Sequence, residues 1–147
     1  MMRLAYPFRR GVLRFDGTAH IGRGSKIIVA LMELGDNFAI SASSTIVSYK
    51  KIVFGRDIQF SWNCLVMDSD THSIYNEEGW ISNPAREISF GDKVWICNGC
   101  MILKGTEIPS NSVIGAHSVV SGKHFEENSI IAGSPAKTIK KIKGWSL

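Results

Sequence analysis

Asp68, Asp70 and His72 alternate along the stretch "DSDTHSIYNEEGW". Two carboxylates beside an imidazole are a combination suited to moving protons. A histidine of ordinary basicity, with a pKa of about 6.5, is largely neutral at neutral pH and accepts a proton from an attacking hydroxyl. A carboxylate on the other ring nitrogen would hold the ring in position. On an extended segment residues two apart share a side, so either Asp68 or Asp70 is placed to orient the ring or to contact an acceptor.

The elements that must position this group follow a six-residue beat. Large apolar residues open successive units at Leu34, Ile40 and Ile46, and after a two-residue insertion at Phe54, Phe60 and Val66. The beat returns at Phe90, Ile96, Ile102, Ile108, Ile114 and Val120, slips by one, and resumes at Phe125 and Ile131. A weaker unit opens at Ile21. Six helical steps of about 100° would scatter these openers around every face. Six is a multiple of the strand period of two, so strands keep them on one side. Gly, Asp, Asn, Ser and Pro crowd the second to fourth positions, as turns require. The fifth is usually small: Ser25, Ser44, Cys64, Cys100, Thr106, Ser112 and Ser118.

Short strands separated by corners predict an all-β chain wound as a parallel β-helix. Three units per turn give coils of about 18 residues stacked into a triangular prism, with strands about 4.8 Å apart. One domain, 1–147, is expected. It divides into an N-terminal segment 1–20, coils over 21–72 and 88–135, an excursion loop 73–87, and a short C-terminal helix or tail 136–147. Counting six on from Val66 arrives at His72, where the pattern asks for an aliphatic residue. An imidazole buried there without partners would cost about 1–3 kcal/mol. The chain is therefore expected to leave the coil, with His72 at a corner, until the pattern returns at Ile88 and Phe90.

With 44% hydrophobic and 20% charged residues, the chain is neither disordered nor membrane-spanning in character. No apolar run reaches the about 18 residues of a membrane span, and the N-terminus lacks a signal-peptide pattern, so the expected location is cytoplasmic. The net charge of +4 gathers near the ends, at Arg3, Arg9, Arg10 and Arg14 and at Lys137, Lys140, Lys141 and Lys143. Such ends suit solubility or a phosphorylated ligand. The odd count of three cysteines argues against a disulfide framework. "CNGC" matches C-x-x-C, but Cys97 falls on an outward and Cys100 on an inward position, and no second pair exists to complete a zinc site.

The motifs "DKVWI", "VIGAHSVV" and "IIAGSPAKTIKKI" resemble those of the hexapeptide-repeat acyltransferases, and the resemblance covers roughly residues 34–143. Within that family the chain is similar to galactoside and maltose O-acetyltransferases, and closer to small acetyltransferases of surface-polysaccharide synthesis. The resemblance implies a left-handed β-helix, a homotrimer with active sites in the clefts between subunits, and acetyl transfer from acetyl-CoA to a sugar hydroxyl. It implies no metal, no nucleic acid, and membrane contact that is peripheral if any. His72 takes the role of general base at the root of the loop.

Carried over position by position, the cofactor residues are Trp95, Cys97 (where the family has glycine), Asn98 and Ala116. They continue through Ser121 and Gly122, then Gly133, Pro135, Lys137 and Lys140. The chain departs from the family's Thr-Lys at "VVSGKHF", so Lys123 is expected to take the basic role. Trp62, Asn63, Tyr75 and Trp80, with the loop acids Glu77 and Glu78, are candidates for the acceptor.

Plainer roles exist for several of these. Trp95 could pack against a neighbouring subunit, Gly133 and Pro135 could close the last coil, and "KTIKKIK" could be a solvated amphipathic end. Other readings of the scaffold are N-acetylation of an amino-sugar nucleotide and a non-catalytic assembly module. A serine acetyltransferase would need a helical domain for which segment 1–20 has no room. A zinc carbonic anhydrase would need a histidine spacing that His20, His117 and His124 do not give.

Overall fold

The computed structural model describes residues 10–147, so Arg3 and Arg9 of the basic N-terminal group lie outside the described residues. Among the described residues there are seventeen short strands and no helix. Coil one holds β1 (Val12–Phe15), β2 (Ala19–Ile21) and β3 (Lys26–Val29); coil two holds β4 (Leu31–Leu34), β5 (Phe38–Ala42) and β6 (Thr45–Ser48). Coil three holds β7 (Ile52–Phe54), β8 (Ile58–Trp62) and β9 (Leu65–Met67). After the excursion come β10 (Ile88–Phe90), β11 (Val94–Ile96) and β12 (Met101–Leu103), then β13 (Glu107–Ile108), β14 (Ser112–Ile114) and β15 (Val119–Val120). Finally β16 (Ser129–Gly133) and β17 (Ala136–Lys141) close the stack.

From β1 to β15 every third strand pairs in parallel. The first sheet is β1-β4-β7-β10-β13, the second runs from β2 to β17 through β5, β8, β11, β14 and β16, and the third is β3-β6-β9-β12-β15. This three-sheet solenoid of about six turns is consistent with a left-handed β-helix. The first coil begins at Val12, within the segment read from sequence as preceding the coils.

The six-residue beat becomes three columns. Leu34, Phe54, Phe90 and Ile108 stack in register along the first sheet. Ile40, Phe60, Ile96, Ile114 and Ile131 stack along the second, and Ile46, Val66, Ile102 and Val120 along the third. All of these are buried, each worth about 1.5–3 kcal/mol for a side chain of this class. Phe38, Phe54, Phe60 and Phe90 pack as one aromatic cluster, with centroids 4.6–6.2 Å apart. Ile21, expected to point inward, is 43% exposed, because the first coil ends the stack and has no described coil beneath it.

The corners are set by the fourth position of each unit. Asn37, Ser43, Asp57, Asn63, Lys93, Asn111 and His117 all adopt φ between 53° and 58°. Asparagine and aspartate tolerate this left-handed region, and Gly99 and Gly105 supply it without strain. At the second position coils approach too closely for a side chain: a Cβ on Gly55 would stand 2.5 Å from the carbonyl oxygen of Gly91.

The C-terminal segment, read from sequence as a short helix or tail, contains a strand over Ala136–Lys141. β17 doubles back and pairs antiparallel with β16, giving that edge strand hydrogen-bond partners along its length. Beyond it, Trp145 folds over the second sheet.

Candidate active site

The excursion leaves the prism where β9 ends and returns at β10. Its base is pinned by Asp68, a fully buried side chain. The Asp68 carboxylate accepts the backbone N–H groups of Tyr49 at 2.7 Å and of Lys50 and Lys51 at 2.8 Å each. This tight turn is the two-residue insertion that interrupts the beat before Phe54. Arg86 closes the loop by donating its N–H to the Asp68 carbonyl at 3.0 Å.

The alternation of Asp68, Asp70 and His72 was expected to place all three on one side. The structure corrects this: Asp68 turns inward and is committed to backbone, whereas Asp70 and His72 are exposed. The segment is also not extended. His72 donates its N–H to the Asp70 carbonyl at 2.7 Å around Thr71, whose φ is 63°, the geometry of a γ-turn. A β-branched residue in this region is strained.

Asp70 carries the polar network of the loop root. Its carboxylate accepts from Lys104 Nζ at 2.5 Å and from Asn83 Nδ2 at 2.8 Å. The same Asn83 amide donates to the His72 carbonyl at 2.9 Å, while its oxygen accepts the Ile74 N–H at 2.6 Å. Lys104 also donates to the Asn83 carbonyl at 3.1 Å. The hydrogen bonds from Lys104 and Asn83 hold the Asp70 carboxyl below the usual carboxylate range. Asp70 thus positions the His72 backbone, and no carboxylate touches the ring among the described residues. The ring's Nδ1 faces the Thr71 hydroxyl at 3.0 Å, and Nε2 has no partner among the described residues. With Nδ1 protonated toward Thr71, Nε2 is an unencumbered proton acceptor.

Beyond Asn83 the loop forms a small hairpin, with Tyr75 and Ile81 bridged antiparallel. Asn76 closes its tip, accepting the Trp80 N–H on its side chain at 2.8 Å. Tyr75 and Trp80 stand 65% and 73% exposed, an apolar pair held up by an ordered backbone.

The residues assigned to the cofactor fall along the two edges of the third sheet. Cys97 and Asn98, and then Ala116, occupy successive corners between the second and third sheets, and the acceptor candidates Trp62 and Asn63 occupy the corner one coil earlier. Gly99 N–H donates to Trp62 O and His117 N–H to Asn98 O, each at 3.0 Å. Gly133 and Pro135 continue that edge, Gly133 donating to the Ser118 hydroxyl at 3.1 Å. On the opposite edge, Ser121, Gly122, Lys123 and Lys137 line one recess of about 260 Å³. Between the edges, Leu65, Met67, Met101, Leu103 and Val119 sit at the outward positions of β9, β12 and β15. An apolar strip ending in lysines fits the chemistry of coenzyme A, whose arm is largely apolar and whose far end is anionic.

Two assigned residues stand apart. Trp95 lies on the outer face of the second sheet, donating to Ser61 Oγ at 3.3 Å and packing against Trp145 at 6.2 Å. Its partner is therefore this chain's own C-terminal segment. Lys140 pairs opposite Ile130 on β17, outside the recess. Of the "CNGC" pair, Cys100 is buried and donates to the Gly115 carbonyl at 3.1 Å, while the Cys97 carbonyl accepts from Cys64 at 3.2 Å. The neighbouring Cys64 sulfur, together with burial, pushes the Cys100 thiol up.

Lys104, Asn83 and Thr71 were not visible as site residues. Lys104 is 34 positions from Asp70, and "ILKGTE" reads as an ordinary unit of the repeat.

No family model matches the chain. Among curated proteins, it is 31% identical over 145 residues to the putative lipopolysaccharide biosynthesis O-acetyl transferase WbbJ of Escherichia coli (strain K12), covering 91% of this chain and 68% of that protein. The chain spans between 55% and 68% of the length of the first curated relatives it matches. Its fold is shared with galactoside acetyltransferase in complex with coenzyme A (TM-score 0.66, 24% identity, 84% of this chain and 65% of that one). It is shared also with the polySia specific acetyltransferase NeuO (TM-score 0.64, 18% identity, 92% and 88%). The stacked hexad columns and the identity to WbbJ across two thirds of its length agree: the chain belongs to the hexapeptide-repeat acyltransferase family.

Proposed function

We propose that this chain is an acetyl-CoA-dependent O-acetyltransferase acting on a sugar hydroxyl of a surface glycan or its precursor, with His72 as general base. The observation that carries the reading is the loop root: an exposed imidazole whose Nδ1 faces Thr71 and whose Nε2 is unpartnered, on a backbone tied down by Asp70 and Asn83. A bound thioester supplies an already activated acetyl group, so the chain needs no covalent nucleophile. His72 Nε2 takes the hydroxyl proton as the oxygen attacks the thioester carbonyl, a contribution of about 10²–10⁴-fold, and returns that proton to the coenzyme A sulfur as the C–S bond breaks. The lysine-edged third sheet supports a cofactor site beside it. The apolar strip of that sheet and the exposed hairpin support association as a homotrimer, with the cleft between copies enclosing the site. A supply of acetyl-CoA points to the cytoplasm.

The test is turnover of acetyl-CoA with a panel of sugar acceptors, comparing the native chain with His72→Ala. Loss of transfer with coenzyme A binding retained supports the base; unchanged transfer rules it out. Product cleaved by hydroxylamine is an O-acetyl ester, whereas a resistant product would identify an amine acceptor.

A further inference from the structure

Two interruptions of the six-residue repeat each deliver to one hollow a cation that forms no ion pair among the described residues. The insertion before β7 brings Lys50, and the exit of the excursion brings Arg86, to a recess of about 310 Å³ shared with Glu87, Ser89, Gly105, Glu107 and Lys123. Lys51, Lys104 and Lys123 are each held in an ion pair, but neither Lys50 nor Arg86 is, among the described residues. Glu107 neutralises Lys123, so Lys50 and Arg86 face Glu87 as the one other carboxylate lining the recess, while Asp70 outside it also feels the charge of Arg86.

The two cations are held from one residue. Asp68 accepts the Lys50 N–H on its carboxylate at 2.8 Å and the Arg86 N–H on its carbonyl at 3.0 Å. Arg86 in turn accepts the Gly105 N–H at 3.3 Å, and its side chain lies over that glycine, where a Cβ would stand 3.3 Å from Nε. Their backbones are therefore set before any ligand arrives. Gly105 follows Lys104, the partner of Asp70, so the recess opens beside the loop root that carries His72.

We infer that this recess is a subsite for a carboxylate on the acceptor, making the acceptor an acidic sugar of the uronic-acid class. A guanidinium fork matches a carboxylate with two parallel hydrogen bonds, and Lys50 adds a point charge. The assignment to the acceptor rests on the acetyl-transfer reading; the preference of the recess for an anion does not. The other source of anionic groups is the phosphates of coenzyme A; of the lysines assigned to the cofactor, Lys137 lines a different recess, and Lys123, which borders both, is already held by Glu107.

The experiment is calorimetric titration of the full chain at fixed ionic strength with glucuronate, glucose and UDP, each with and without coenzyme A. It is repeated on the double variant Lys50→Gln, Arg86→Gln and on Lys137→Gln. Glucuronate is expected to bind at least tenfold more tightly than glucose without displacing coenzyme A. The double variant is expected to lose that preference with coenzyme A affinity and Tm unchanged. Equal binding of glucuronate and glucose overturns the proposal, as does binding of UDP alone. Loss of coenzyme A affinity in the double variant also overturns it, by assigning the recess to the cofactor phosphates. If the native chain binds no coenzyme A, the acetyl-transfer reading fails while the glucuronate comparison still decides the recess.

Discussion

Asp68 and Asp70 stand two residues apart at the same junction, and their carboxylates serve opposite sides of the protein. Asp68 is buried and accepts three backbone N–H groups from residues 49–51. Asp70 is outside, bonded to Lys104 and Asn83. One holds the prism closed at the insertion, and the other fixes the loop that presents His72.

Asp68→Ala should therefore be a stability variant. Leaving three buried N–H groups without their acceptor is expected to cost about 3 kcal/mol or more. Chemical denaturation monitored by circular dichroism checks this. A midpoint equal to that of the native chain would contradict the anchoring role.

Asp70→Asn should separate from it. Asp70 is 46% exposed although Lys104 is only 14% exposed, and the asparagine oxygen can still accept from Lys104, so the change is expected to cost about 1 kcal/mol. The transfer rate is expected to fall about tenfold as the His72 backbone loosens, with the KM for acetyl-CoA held. Steady-state kinetics on the folded variant decide between this and a purely structural role.

The same pair gives a pH dependence of stability. Lys104 and Asn83 hold the Asp70 carboxyl below its ordinary range, so its stabilisation is full above the unfolded-state pKa. It is lost as pH falls through the lowered folded-state value. The difference in Tm between the native chain and Asp70→Asn should shrink on acidification through the carboxylate range and be constant near neutrality. A difference that grew on acidification would reverse the sign argued here.

Phe54 joins Phe38, Phe60 and Phe90 across three coils. Phe54→Ala removes the middle of that cluster and is expected to cost about 3–5 kcal/mol. A loss below about 1 kcal/mol on urea unfolding would mean that the coils can repack around the gap.

Lys93 occupies a corner at φ 58°, where a side chain pays a left-handed penalty. Lys93→Gly should raise stability by up to about 1 kcal/mol, because its backbone carbonyl still accepts from Trp145 at 3.0 Å. A lowered Tm would show that the lysine side chain contributes more than the strained backbone costs.

The sequence by itself determined the prism. A step of six keeps each opener on one side of a strand, and three such steps return the chain to the same sheet. Leu34, Phe54, Phe90 and Ile108 could therefore be expected to share an environment before any contact was seen, and they stack in register. His72 was legible by the same count, because a regular rule exposes its own exception. The chain's family was legible in its motifs, since backbone corners and close approaches admit few residue types.

Only the tertiary structure decided what surrounds His72. Alternation assigned Asp68 and Asp70 alike, but the left-handed turn at Thr71 and the pull of three unsatisfied N–H groups at the insertion separate them. Asn83 and Lys104 meet at Asp70, 13 and 34 positions away, and Lys50 meets Arg86, because coils stack across a loop that follows no period. Trp95, read as a cofactor residue, meets Trp145 for the same reason. A repeat encodes contacts between equivalent positions. Where the chain departs from the repeat, partners are chosen by geometry in space, and no spacing in the sequence records them.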